Sequence, residues 1–508
     1  MIDYIASILV RALNILFRIV PIGASLWLGR RIGSLVFMVN KKRRLIAYAN
    51  LKAAFGKEKS PRELRSITKR VYQNMVQTFV EILNLTKVSK EYVDKYVEVV
   101  NLERVRNAAN DPRGVILLTG HFGNWELSNL VGAVKGFKMA VLAREQKMKR
   151  LNELLNRLRE SKGCTVIRKG ISIRELIKAL RAKNIVGILS DQDAGKNGVF
   201  VNFFGRPAST PPGAMEFAKR TDSIVLPNFI ARIQGPYHKV YIEEPIDCAN
   251  DQSGDVAASL QKYVSLLERY VREYPDQWLW LHKRWKSTPQ RTILVLNDGK
   301  QGHLNQALAV AHQIRRARTT QGYSMDDTKV VVEDVRYRSK FRHAVLTAAS
   351  AFATWRSHGR MGYMAYCLTK ESYESLMAAY GEFVVSCGAS LAPVNVFMAR
   401  ECNAKNVVVM SPGPIGTDKF SLAIIPRHDR PRKRKNVVVT EAAPHLMDRA
   451  SLARYGSALM DRLKIAGAGP KIGLLIGGDS ENFTMTEATI SLVVKGVLEA
   501  AEKLNGQI

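Results

Sequence analysis

The chain has 508 residues, more than one ordinary domain holds. Its 46% hydrophobic content excludes a largely disordered protein. Lys and Arg number 77 against 45 Asp and Glu, a formal charge of +32 that suits an anionic membrane surface, an acidic protein or nucleic acid. Nucleic acid has little support, because there is no zinc-finger spacing, no aromatic RNA-binding signature, and the basic residues are spread along the chain. Cys164, Cys248, Cys367, Cys387 and Cys402 are scattered, with no Cys-x-x-Cys. That pattern argues against a disulfide scaffold or structural zinc site and fits a reducing compartment.

Residues 4–39 are strongly apolar, yet Arg11 and Arg18 interrupt the run, and a membrane span wants about 20 apolar residues. No small-residue cleavage site follows a short apolar core, so a signal peptide is not expected. Ser7, Arg11, Asn14 and Arg18 share one helical face, opposite Leu, Ile, Val and Phe. Such a helix lies in the membrane interface with its arginines toward lipid phosphates, or packs on the domain core. Lys41 to Arg44 add a basic cluster.

Residues 45–110 read as helices. Ser60, Pro61 and Glu63 spell a capping box with proline at the first helical position, and 71–85 reads as a further helix with Glu81 inside it. From Gly114 short apolar runs alternate with helical stretches: strands at 115–118, 139–142, 166–167, 185–189 and 224–230, helices at 147–161 and 173–183. This is the pattern of an α/β domain with a largely parallel sheet, in which ligands gather at the carboxyl ends of strands.

His121 follows the first of these strands, on a turn before a helix opening at Asn124. An imidazole there can take a proton near neutral pH, and Glu126 can hold its other ring nitrogen. The helix start offers N–H groups to a developing negative charge. Arg144 follows a strand and suits an anionic head group, and Arg159 closes the next helix. Asp191, Gln192 and Asp193 end another strand; paired acids can bind a cation, although loop hydrogen bonding and capping are favoured here. Phe200, Phe203 and Phe204 read as an acyl channel or as core. Trp278, Trp280 and Trp285 beside Arg284 and Lys286 read as a membrane-facing belt.

The composition shifts between 285 and 290, which reads as a linker. A fresh strand at 292–297 leads into a Gly-rich turn, Asp298 to Gln306, and a helix at 307–316. Such a turn suits a phosphate or nucleotide-sugar ligand, though its glycines match neither the Rossmann nor the Walker spacing. Strands follow at 330–335, 383–385, 407–410, 423–426 and 471–477.

Asn50-Leu51, Gly120-His-Phe-Gly-Asn-Trp-Glu126, Asp191-Gln-Asp193, Val199-Phe-Val-Asn-Phe-Phe-Gly205 and Pro275-Asp-Gln-Trp-Leu-Trp-Leu-His-Lys-Arg-Trp285 occur in an order that resembles the bacterial lipid A biosynthesis acyltransferases over 1–288. The resemblance implies transfer of a fatty acyl group from acyl carrier protein, or acyl-CoA, to a hydroxyl of a membrane glycolipid at the cytoplasmic face of the inner membrane. It makes His121 the general base, Glu126 its catalytic partner, and Arg144, Arg159, Asp191 and Gln192 substrate-binding residues, with no cofactor and no metal. The motifs Asp298-Gly-Lys-x-Gly-His303-x-Asn-Gln306, Ser386-x-Gly388, Pro426-x-His-Asp429 and Ile476-Gly-Gly-Asp-Ser480 resemble the mitochondrial-fission Elm family, which implies a Rossmann-like fold of the glycosyltransferase-B type. The expected fold is therefore α/β throughout. It comprises membrane-interfacial helices at 1–40, a glycerolipid-acyltransferase-like domain at 41–288, and an Elm-like domain at 289–508 whose second lobe is incomplete. Glycolipid glycosyl transfer by that second half is the alternative expectation.

Overall fold

The computed structural model describes residues 14, 17, 19–144, 149–169, 173–248, 255–354, 356–463, 469–478 and 484–508. They form two units, Met1–Pro444 and His445–Ile508. Ser7, Arg11 and Arg18 lie outside the described residues.

The first unit opens with α1 (Ile22–Val39), α2 (Lys41–Phe55) and α3 (Pro61–Leu83). With a mean hydropathy of 1.3 over 18 residues, α1 is long and apolar enough to cross a membrane by length and composition. Its Gly29 and Gly33 meet α3, and a Cβ on Gly33 would sit 2.6 Å from the Gln73 Cα. Trp27, Leu35, Met38 and Val39 are exposed on its other side. The capping box at Ser60 and Glu63 forms as expected. The two helices read on either side of residue 70 are one, since no glycine or proline lies between Arg62 and Leu83 to end it.

Seven strands follow: β1 (Val97–Val100), β2 (Val115–Thr119), β3 (Met139–Arg144), β4 (Thr165–Lys169), β5 (Ile185–Leu189), β8 (Ile224–Gln234) and β9 (Tyr237–Ile242). Their order is β1-β9-β8-β2-β5-β3-β4, parallel except at β8–β9. β6 (Val199–Phe203) and β7 (Arg206–Thr210) make a separate hairpin. The connecting helices are α4 (Lys90–Tyr96), α5 (Leu102–Asn110), α6 (Trp125–Val134), α7 (Lys149–Glu160), α8 (Ile173–Arg181), α9 (Gly213–Thr221) and α10 (Val256–Glu273). Fully buried residues fill β2, as a strand covered on both faces requires. β2, β5 and β3 are neighbours, so the loops after them share one sheet edge.

A second, wholly parallel sheet has the order β11-β10-β12-β13-β14-β15. Its strands are β10 (Arg291–Asn297), β11 (Thr328–Asp334), β12 (Phe383–Cys387), β13 (Lys405–Val409), β14 (Leu422–Pro426) and β15 (Val437–Thr440). The helices are α11 (Gln301–Thr319), α12 (Lys340–Ala351), α13 (Gly362–Cys367), α14 (Lys370–Ala378) and α15 (Gly388–Cys402). α11 begins at Gln301, so His303 sits in its first turn and not in a Gly-rich loop. The stretch at 287–290 is tethered: Ser287 donates to Asp193 at 2.9 Å and buried Thr288 to the Pro207 carbonyl at 2.6 Å. Buried polar contacts join the sheets' surroundings, with the Tyr48 hydroxyl donating to Glu401 and the Lys52 ammonium to the Met377 carbonyl.

The second unit contains α16 (Arg449–Arg462) and α17 (Glu487–Lys503). The strand expected at 471–477 does not form. Only Lys471 pairs, with Gln507, and without a ladder partner Leu475 is 97% exposed. Asp479 and Ser480 lie outside the described residues.

One buried network fixes the loop after β2. Glu81 of α3 accepts a hydrogen bond from Asn124 at 2.8 Å and a bidentate pair from Arg232, and His238 stands 3.5 Å away. Asn124 in turn caps α6 by accepting from the Leu127 N–H at 3.1 Å. Burial pushes the Glu81 carboxyl up, but Arg232 and His238 overcome it and bring it down to about 2. Its stabilisation is therefore present above the ordinary value of 4.5 and is lost as pH falls toward about 2. Glu81→Ala strands Arg232 in the interior and should cost about 3–5 kcal/mol in chemical denaturation. Gly33→Ala should cost about 1–3 kcal/mol by overpacking α1 against α3. Gly23→Ala has open space around it and should be neutral or stabilising by up to about 1 kcal/mol in the same measurement.

Candidate active site

Gly120 follows directly on β2, and a Cβ there would stand 3.0 Å from the Asp191 Oδ2. This bare position lets the Asp191 carboxylate, arriving from the end of neighbouring β5, close over the His121 loop. Asp191 Oδ2 accepts from the His121 backbone N–H at 2.8 Å and from the Trp278 indole at 2.8 Å. Its Oδ1 is 2.7 Å from the His121 Nδ1. The next residues pair with the Trp-rich segment: the Gly123 N–H donates to Gln277 O at 2.9 Å and the Leu279 N–H to His121 O at 3.0 Å. Gly123 has φ +56, and a Cβ there would strike the Ile230 carbonyl.

The ring partner of His121 is thus Asp191, not Glu126. Glu126, on the first turn of α6, is held by Arg159 of α7 through two hydrogen bonds of 2.8 and 2.6 Å. Arg159 also donates to Asn156 at 2.9 Å. An imidazole reaching Asp191 across the sheet edge stands beside this ion pair without entering it. Gln192 reaches the other ring nitrogen, with its Nε2 3.4 Å from the His121 Nε2. The Trp125 ring packs edge-on against the imidazole at 5.1 Å. Arg144 ends β3 on the same sheet edge, and its side chain lies outside the described residues. Asp193 turns to Ser287 and the Gly195 N–H, away from Asp191. Among the described residues no group of three His, Cys, Asp or Glu could hold a metal ion.

The expected tryptophan belt is corrected, and of the two readings of the phenylalanines the core one holds for Phe203 and Phe204. Trp278, Trp280 and Trp285 are buried and form no belt. Trp278 donates to Asp191, and Trp280 to the Pro275 carbonyl at 2.7 Å. Arg284 is buried beside them, donating to Ser209 O and Thr210 Oγ1 at 2.6 Å each. Phe203 and Phe204 are core residues packed on Trp278, Trp285 and Trp280, while Phe200 is partly exposed.

The electrostatics follow from this packing. Burial pushes the Asp191 carboxyl up, and the neighbouring His121, by charge and hydrogen bonds, holds it well below the usual range. Burial lowers His121, but Asp191 and then Glu126 outweigh it, so the imidazole rests above 6.5. His282 is brought down to about 4 by burial and stays neutral. With Nδ1–H given to Asp191, the His121 Nε2 carries the lone pair. His121 borders a narrow cavity of about 30 Å³ whose wall includes Asn74, Met75, Thr78, Trp125, Arg232 and Asp276. A base oriented by a buried carboxylate can take a proton from a hydroxyl placed there. Glu81, Arg232 and Trp278 were missed as parts of the site; a lone acid inside an apolar helical run was the one signal in the sequence for Glu81.

Residues 1–287 match the family model described as bacterial lipid A biosynthesis acyltransferase, and 301–508 match the one described as mitochondrial fission ELM1. A phosphatidylinositol mannoside acyltransferase of Mycobacterium tuberculosis is 27% identical over 176 residues, 34% of this chain and 54% of the relative. A lipid A biosynthesis lauroyltransferase of Escherichia coli K12 is 27% identical over 275 residues, 52% of this chain and 85% of the relative. Lipid A biosynthesis acyltransferase 2 of Shigella flexneri is 24% identical over 261 residues, covering 51% and 82%. The chain spans about half the length of the mannoside acyltransferases it matches. The match over residues 1–287, more than half of the chain, shows that the protein belongs to the bacterial lipid A biosynthesis acyltransferase family.

Proposed function

We propose that the protein moves a fatty acyl group from a thioester, on acyl carrier protein or coenzyme A, to a hydroxyl of a glycolipid such as a lipid A precursor. The observation that carries this reading is the clasp of His121 by Asp191 at the end of β2, inside the segment matched by the acyltransferase family. The relatives' names, acyltransferases for lipid A and for phosphatidylinositol mannoside, support a glycolipid acceptor. α1 and the charge of +32 support work at the cytoplasmic face of the bacterial inner membrane. The same charge would attract an acidic carrier protein.

In this mechanism His121 Nε2 takes the proton of the acceptor hydroxyl. The alkoxide attacks the thioester carbonyl, and the positive end of α6 favours the tetrahedral oxyanion. The carbon–sulfur bond then breaks, and the imidazolium returns its proton to the leaving thiolate. Asp191 keeps the ring in the productive tautomer. Gln192 steadies the ring or the incoming hydroxyl, Glu126 with Arg159 flanks the approach, and Arg144 is assigned to an anionic group of the acceptor. Glycosyl transfer by the second half is a second reading. It is favoured by the Asp298 carboxylate, which holds His303 at 2.9 Å and Ser390 at 2.7 Å where strand order reverses between β10 and β12.

The deciding assay offers the full chain labelled acyl carrier protein, acyl-CoA or UDP-sugars with a membrane lipid extract. Acyl label entering a glycolipid supports the first reading and sugar label the second; neither removes both. His121→Ala should lower acyl turnover by about 10²–10⁴-fold with an unchanged circular dichroism spectrum. Unchanged turnover would sink the assignment of the base. The base must be neutral to act, so activity should rise with pH through the elevated value of His121. Glu126→Gln removes a negative charge that supports that value and leaves Arg159 positive, so the acid limb of the pH–rate profile should move to lower pH. An unmoved limb assigns it to another group.

A further inference from the structure

A second cavity, of about 430 Å³, lies where the end of α1 meets the starts of α2 and α3 and the turn before α13. Its wall carries six cations: Arg44 of α2, Arg62, Arg65 and Lys69 of α3, and Arg356 and Arg360. No carboxylate joins them among the described residues of the wall. Ser34, Ser66, Phe37 and Met38 complete it. The residues of α3 that border the His121 cavity are 71, 74, 75 and 78. At 100° per residue these lie on the opposite side of the helix from 62, 65, 66 and 69, so the two cavities are separate.

Two of the cations, Arg44 and Arg65, are held in place. Arg44 donates to the Phe37 carbonyl at 3.2 Å and lies over the Phe37 ring at 4.6 Å. Arg65 donates to the His358 carbonyl at 2.8 Å. The turn that brings Arg356 and Arg360 is itself seated tightly: Gly359 has φ +66, and a Cβ there would lie 2.5 Å from the Pro61 carbonyl. The Gly359 N–H donates to buried Glu401 at 3.0 Å, and His358 packs edge-on to Tyr48 at 5.2 Å. The fold thus holds like charges together against their repulsion. Burial first, and then Arg65, Arg356 and Arg360, bring Arg44 down to about 10, still protonated at neutral pH.

We propose that this cavity binds a phosphate group, presented by an anionic lipid headgroup or as a free phosphate. Guanidinium forks converging on one space recognise phosphate oxygens bidentately, and an anion relieves the repulsion among them. The exposed Leu35, Met38 and Val39 at the same end of α1 favour the lipid as its source, since acyl chains would lie beside them. The cavity draws residues from both family-matched segments, so it is a property of this fused chain.

The test uses the full-length protein and a variant carrying Arg62→Ala, Lys69→Ala and Arg360→Ala, all exposed positions. A control carries Arg430→Ala, Arg432→Ala and Lys433→Ala, an equal loss of charge at an exposed segment. Flotation at physiological salt uses vesicles of phosphatidylcholine with phosphatidylglycerol at one part in four, where distant surface charges are screened. The cavity variant should bind at least about tenfold more weakly than the control, a difference of about 1.4 kcal/mol. A parallel arm follows the melting temperature with inorganic phosphate at constant ionic strength. Stabilisation of the wild type and not of the cavity variant, with equal vesicle binding, assigns the site to free phosphate. Equal vesicle binding by both variants, with no phosphate-dependent difference in melting, overturns the proposal.

Discussion

A single buried carboxylate organises the acyltransferase half. Asp191 receives the backbone N–H and an imidazole nitrogen of His121 and the indole N–H of Trp278 on its two oxygens, so two distant segments of the chain meet on it. Removing such a charge from water is costly, and only a full set of donors makes it tolerable. The loop after β2, the end of β5 and the Trp278 segment must therefore arrive together. Gly120 provides the space for this, and the Glu81–Arg232–Asn124 network fixes the helix that follows. The geometry around His121 is thus a by-product of satisfying buried charges.

Much of this was legible in the chain. Short apolar runs broken by glycine and amphipathic stretches marked β2, β3, β5 and β10 to β14 of the second sheet, though not β15, because hydrophobic period and turn chemistry are local. His121 and Asp191 were placed at one sheet edge by the same reasoning. The pairing between them was not legible. It depends on β2 and β5 being neighbours, whereas Glu126 was near only along the sequence. The tryptophans misled for a related reason. Trp beside Arg looks interfacial in one dimension, but Arg284 finds Ser209 and Thr210 as buried acceptors from a distant hairpin. The strand expected at 471–477 failed because period alone does not supply a ladder partner.

The two cavities divide the surface of α3 by chemistry. One side of the helix faces a recess of mixed character around a histidine, with one arginine and one aspartate in its wall, and the other faces a recess of guanidinium and ammonium groups. A 23-residue helix can serve both because its periodicity separates positions two apart by more than half a turn. Toward α1 the helix presents buried Gln73 and Gln77, whose amides donate to the Ser34 hydroxyl at 2.8 Å and the Leu26 carbonyl at 3.2 Å.

The contacts of Tyr48 with Glu401 and of Lys52 with the Met377 carbonyl bear on where the chain can be cut. Family boundaries fall near residues 287 and 301, in a stretch that invites separate expression of two domains. Burial of Glu401, Lys52 and Tyr48 says otherwise. Scission there would leave an acid, an amine and a phenol, each shaped for a partner on the other fragment, facing solvent beside freshly bared apolar surface. The junctions that sequence families recognise and those that folding recognises do not coincide in this protein, and an excised half is a different physical object from the half in the chain.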